Sequence, residues 1–116
     1  MTADLPTGDE LVGMLSALAN PIRLRIVATL AGGRDYVSHL AREIGVSRPL
    51  LHMHLQRLEA AGLIVGTLEL SEDGKAMKYF DVADFALHLT PAAITRMAAT
   101  LTPTDPERGP VPKEKH

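Results

Sequence analysis

Two helical stretches that meet across Gly45-Val46-Ser47 constrain this chain more than any other feature. The first, about Tyr36 to Ile44, turns Val37, Leu40, Ala41 and Ile44 inward; the second, about Arg48 to Ala61, carries Leu51, Leu55 and Leu58 on one face. Gly45 supplies the left-handed geometry such a joint needs, Val46 pegs the two helices at a fixed angle, and Ser47 caps the second. Pro49 sits in its first turn, where a missing N–H costs little. After Gly62 the apolar period changes from helical to alternating. Leu63 to Leu70 reads as a strand, Ser71-Glu72-Asp73-Gly74 as a hairpin turn, and Lys75 to Val82 as the returning strand. A helix-turn-helix followed directly by a hairpin is a winged helix. The expected fold is therefore mainly α with a small β-hairpin (α+β).

The flanks complete one small domain. Residues 1–8 read as a flexible arm. Asp9 is placed to cap a helix to about Ala19 that carries Leu11, Val12, Met14, Leu15 and Leu18. Asn20-Pro21 breaks it and starts another, which ends at Gly32-Gly33. Thr90-Pro91 opens a last helix, Ala92 to Leu101. Residues 102–116 hold four prolines and little to bury, so a disordered tail is expected. The domain thus spans 9–101. The outer helices have more apolar surface than one small core can use. Leu11, Met14, Leu15 and Leu18 on the first, with Ile94, Met97 and Leu101 on the last, point to a homodimer interface.

Composition sets the exclusions. The chain has 116 residues, 46% of them apolar and only 3% aromatic, so aliphatic side chains must fill the core. No apolar run reaches the 18 or so residues of a membrane span, and the acidic N-terminus does not read as a signal peptide, so a cytoplasmic protein is expected. With no cysteine there is neither a disulfide nor a thiolate site. No nucleophile sits with a base and no glycine loop cradles phosphate, which argues against an enzyme.

The formal charge is −2, yet Pro21 to Leu58 holds six arginines against two carboxylates. That basic middle contains the second helix of the pair, whose face opposite the leucines is free to meet double-stranded DNA. Arg48 is placed to pair with guanine or phosphate, Leu50 and Met53 to touch thymine methyls, and His52, Gln56 and Arg57 lie further along. Ser47 can add a phosphate contact. Of Lys75 and Lys78 in the wing, three apart, one is expected to reach phosphate.

Three stretches, LANPIRLRIVATL, HLAREIGVSRPLLHMHLQRLEAAGLI and GKAMKYFDV, resemble in order the motifs of the ArsR-type winged helix-turn-helix repressors. The resemblance covers Leu18 to Asp81. It implies a dimeric, sequence-specific DNA-binding transcriptional regulator whose outer helices pair across a two-fold axis. It also implies that His54, at the family's own histidine position, serves the fold and phosphate and binds no metal. The family's thiol sensor positions read Tyr36 and Ser38 here, so arsenite sensing is chemically excluded. Its familiar metal site on the last helix has neither Asp nor His. A nickel- or zinc-responsive regulator would have to use other hard ligands, and Asp81, Asp84 and His88 after the wing are the candidates. His39 is unassigned. A partner protein as the signal, or a winged-helix module that binds protein in place of DNA, are the remaining readings.

Overall fold

The computed structural model describes residues 5–103. In chain order the elements are α1 (Gly8–Leu18), α2 (Pro21–Ala31), β1 (Asp35–Tyr36), α3 (Val37–Ile44), α4 (Arg48–Ala60), β2 (Ile64–Leu70), β3 (Ala76–Val82) and α5 (Pro91–Ala98). No helix among the described residues is long and apolar enough to cross a membrane. Two compact units are present, one formed by Gly13–Ala86 and one that joins the start of α1 to the chain from Leu87 onward.

Local chemistry starts and stops these helices. Thr7, not Asp9, caps α1. Its hydroxyl oxygen accepts from the Glu10 N–H at 3.0 Å, and Glu10 Oε1 accepts from the Thr7 N–H at 2.8 Å. This reciprocal pair is a capping box, legible as Thr-x-x-Glu. Asp9 lies inside the first turn and accepts from the hydroxyl and the N–H of Thr102, which holds its carboxyl below the usual range. Asn20 caps α2 through the N–H groups of Ile22 and Arg23, and Ser47 caps α4 through that of Leu50. Gly45 ends α3 at φ 85°, a left-handed position where its N–H returns to the Ala41 carbonyl.

The wing carries one strand more than the expected hairpin. β1 pairs with β3 through Asp35–Phe80 and Tyr36–Tyr79, so the sheet order is β1-β3-β2. Asp35-Tyr36 is too short to show an alternating pattern in sequence; its pairing with residues more than forty positions away creates it. Lys75 belongs to the turn and not to β3, which starts at Ala76. At the base of the wing Gly66 allows a close approach of three side chains. A Cβ there would lie 2.6 Å from Lys78 Cε, 3.0 Å from the Phe80 ring and 3.2 Å from Glu59 Oε2.

The main core is aliphatic. Ile26 and Leu30 of α2, Leu40 of α3, and Leu51, Leu55 and Leu58 of α4 close around Leu63, Ile64 and Phe80. In the smaller unit Leu11 packs with Ala93, Met97 and Leu87. There Gly8 donates its N–H to the Thr100 hydroxyl at 2.8 Å, and a Cβ on Gly8 would come within 2.6 Å of the Met97 carbonyl.

One polar side chain, His54, is buried in the main core, 3% exposed. Arg23 reaches it across from α2. The guanidinium donates from NH1 to His54 Nδ1 at 3.0 Å and from Nε to the Ala17 carbonyl at 2.6 Å. Because a guanidinium only donates, Nδ1 must accept, and the imidazole carries its proton on Nε2. Burial first, then the Arg23 and Arg57 charges, hold its pKa below the ordinary histidine value. The fold role expected for His54 is therefore met. A phosphate role is not, since DNA cannot reach it.

Two outcomes follow for stability. Thr7→Ala removes the α1 cap and is expected to cost about 1 kcal/mol in denaturant unfolding. His54 is neutral in the folded chain and titrates near 6.5 when unfolded. Below about pH 6.5 the unfolded chain takes up a proton that the folded chain resists, so stability falls as pH drops toward the lower folded pKa and is full above 6.5. His54→Asn keeps an acceptor for Arg23 and removes the titration. Its stability is expected to change less between pH 7 and pH 5 than that of the wild type, and equal profiles would remove His54 from the acid response.

Candidate nucleic-acid interface

Helix α4 is anchored along one side. Leu51, His54, Leu55 and Leu58 all lie in the core. At about 100° per residue the opposite side carries Pro49, His52, Met53, Gln56 and Ala60, every one exposed. Leu50 and Met53 are each 38% exposed. They are surface groups and not part of the core. The αL turn at Gly45 and the Ser47 cap leave the N-terminal end of α4 open. There Ser47 accepts from Leu50 N–H at 3.3 Å, so its own hydroxyl proton stays available to donate.

The two flanks of α4 differ. Arg48 looks toward the wing and lines a cavity of about 170 Å³ with Tyr36, Val37, Ser38, Met77 and Lys78. Arg57 lies on the other shoulder, beside α1 and α2. Both arginines are exposed, and neither forms an ion pair among the described residues.

The wing lysines separate. Lys75 is exposed in the tip turn, where Ser71 N–H donates to its carbonyl at 2.7 Å. Lys78 folds over the Phe80 ring, its Nζ 5.3 Å from the centroid. The tip is also less acidic than its sequence suggests. Glu69 is already paired. Arg34 pairs with both its oxygens, NH2 to Oε1 at 2.9 Å, and lowers its pKa. The same guanidinium lies 4.4 Å from the Tyr79 centroid, and Tyr79 meets Tyr36 edge-on at 5.7 Å. Asp35 and Glu69 are thereby committed, Asp35 to His39 Nδ1 at 2.6 Å. Sequence reading missed the Arg34–Glu69 pair because the sheet alone brings together residues 35 apart.

The basic middle is narrower than its arginine count. Arg34 is paired and Arg23 is engaged in the core. Arg25, Arg42, Arg48 and Arg57 remain exposed.

The expected metal set does not form as expected. Among the described residues no three His, Asp or Glu side chains are placed to hold one metal ion. Asp81 accepts from the Val82 N–H at 2.9 Å. The chain from Ala83 to Leu89 is not helical, so Asp84 and His88 do not share a helix face. The outer apolar residues also divide. Leu11 and Met97 are buried within the chain, 8% and 2% exposed, and have little surface left for a second copy. Met14 and Leu18 pack against the main core. Leu15, Ile94 and Leu101 are exposed, and Val12 and Leu89 join them. The arm and tail expectations fall mostly on residues 1–4 and 104–116, outside the described residues.

Residues 18–67 match a helix-turn-helix domain family. The chain is 32% identical over 88 residues to an HTH-type transcriptional regulator of Methanocaldococcus jannaschii, covering 76% of this chain and 92% of that one. It is 38% identical over 63 residues to the HTH-type transcriptional regulator CmtR of Mycobacterium tuberculosis, covering 54% of this chain and 50% of CmtR. Among solved structures it resembles a homodimeric winged helix-turn-helix DNA-binding domain of Mycobacterium bovis, described as a possible ArsR-family transcriptional regulator. The TM-score is 0.58 at 25% identity, over 78% of this chain and 74% of that one. With an ordered helix-turn-helix, a wing and a solvent-facing α4, the chain belongs to the ArsR-type winged helix-turn-helix transcriptional regulators, a DNA-binding family and not a catalytic one.

Proposed function

We propose that the chain represses transcription as a homodimer that lays α4 of each copy in the major groove of one operator half-site. The observation that carries this reading is the exposed face of α4. It offers the His52 imidazole, the Met53 thioether and the Gln56 amide, flanked by Leu50 and by the Arg48 and Arg57 guanidiniums, on a helix anchored by four core residues. Arg48 pairs with a guanine edge or an adjacent phosphate, Leu50 and Met53 meet thymine methyls, and His52 and Gln56 read or brace neighbouring positions. Ser47 donates to phosphate at the helix start. Arg57 at the far shoulder and Lys75 at the wing tip take backbone phosphates. Lys78, held over Phe80, contributes least.

Dimerisation supports the same reading. Val12 and Leu15 of α1 and Ile94 and Leu101 in and after α5 leave apolar surface that water does not favour. The M. bovis neighbour is homodimeric. A two-fold pair would set its α4 helices for half-sites one helical turn, about 34 Å, apart.

Gel shifts on the chain's own promoter region, at two salt concentrations, test the docking. Arg48→Ala is expected to lose about 1–3 kcal/mol and to relax sequence preference. Arg57→Ala is expected to weaken all sequences alike and to shallow the salt slope by about one unit. Unchanged operator affinity in the double variant would overturn this docking. No shift at all from the folded wild type would favour a protein-binding winged helix. Light scattering at micromolar concentration is expected to give twice the chain mass, and a concentration-independent monomer would defeat the dimer.

A further inference from the structure

A second cavity lies on the Arg57 shoulder of α4. Its volume is about 260 Å³, and it is walled by Gly13, Ser16 and Ala17 of α1, Arg23 of α2, and Arg57, Ala60 and Ala61 at the end of α4. Five of these seven residues are Gly, Ala or Ser, so the space is left by small side chains. Among the described residues the only side-chain polar groups on the wall are one hydroxyl and two guanidiniums. No carboxylate lines it, and neither arginine pairs with one among the described residues.

Arg23 is aimed and held. Its Nε bond to the Ala17 carbonyl and its NH1 bond to His54 use two of its five N–H donors and fix the plane of the group. Its other three donors have no partner among the described residues. Holding two like charges about one small space is unfavourable, and the neutral imidazole of His54 beneath them offers no compensation. An oxyanion supplies what is missing: negative charge and paired acceptors matching a guanidinium fork.

Gly13 adds a separate observation. In mid-helix, glycine costs roughly 0.5–1 kcal/mol relative to alanine. A Cβ at this position would meet nothing within 4 Å, so packing within the chain does not demand glycine. What its missing side chain preserves is the opening. The volume lies just below the roughly 300 Å³ at the lower end of small-molecule sites, which suits a compact ligand.

We propose that this cavity binds a small oxyanion-bearing molecule, a carboxylate or a phosphate, gripped by Arg23 and Arg57 over the floor formed by Gly13 and Ser16. Because Arg57 stands on the recognition helix, a bound anion competes with a DNA phosphate for the same guanidinium and links the cavity to operator affinity. Binding itself does not depend on DNA docking.

The test uses the full chain without DNA. Inorganic phosphate and succinate are titrated separately by calorimetry at constant ionic strength, with sodium chloride as control. His54 ring protons are followed by NMR in parallel. One of the two probes is expected to bind saturably, one per chain, to raise the melting temperature by mass action and to shift the His54 signals. The arm that responds identifies phosphate or carboxylate as the source. Arg57→Gln, at an exposed position whose side chain makes no hydrogen bond or ion pair among the described residues, and Gly13→Leu, which fills the opening, are each expected to weaken binding about tenfold or more. Arg48→Ala is expected to bind like the wild type. Silence from both probes, or wild-type affinity in Arg57→Gln and Gly13→Leu alike, would overturn the site. Neither result bears on whether α4 docks DNA.

Discussion

Arg23 is the joint on which the arrangement of the helices depends. It leaves α2 and makes two bonds, one to the last turn of α1 and one to the buried ring on α4. A buried histidine without an acceptor role filled would leave a polar nitrogen unsatisfied among leucines, at a cost of about 1–3 kcal/mol. The buried ring therefore requires the guanidinium, and the requirement has a direction: a bond through Nδ1 sets the ring plane as well as its distance. Apolar contacts around Leu51 and Leu55 favour burial of α4 but tolerate sliding. The hydrogen bond does not, and so it specifies the angle at which α4 leaves the core.

The helices and their punctuation were largely legible in the sequence, because their signals are local. Asn20-Pro21, Gly45 and Ser47 each act within three or four residues, and each behaves in the structure as its chemistry dictates. The cap of α1 is equally local: Thr7 and Glu10 form the reciprocal pair, and Asp9, two residues past the cap, lies inside the first turn. What could not be read was set by contact at a distance. β1 exists only because β3 accepts it, Arg34 is neutralised only because the sheet brings Glu69 alongside, and Lys78 is drawn down only because Gly66 leaves room.

The candidate site divides the same way. Periodicity was enough to separate the leucines of α4 from its exposed face, and it correctly left Leu50 and Met53 outside. It could not tell which arginines are free. Six in one segment suggest a strongly basic surface, but two of them are committed elsewhere by partners that no spacing rule reveals. For the outer helices, periodicity marks an apolar stripe without saying which half the chain keeps for itself. Leu11 and Met97 prove internal, and fewer apolar side chains are left exposed than the stripe suggests.

The crowding at Gly66 governs how the wing can behave. Glu59, Lys78 and Phe80 crowd the volume that a side chain there would need, so any residue but glycine would displace the ends of Lys78 and Glu59 and press on the Phe80 ring. The hairpin leaves α4 beside that ring, and its two strands pair without a break from Ile64–Val82 to Leu70–Ala76, up to the Ser71–Lys75 tip. The separation between whatever α4 touches and whatever the tip touches becomes a property of the covalent chain. Selectivity then has a component that no base contact supplies: a duplex whose groove width departs from that built-in span would have to deform, at its own elastic expense, to engage both ends at once.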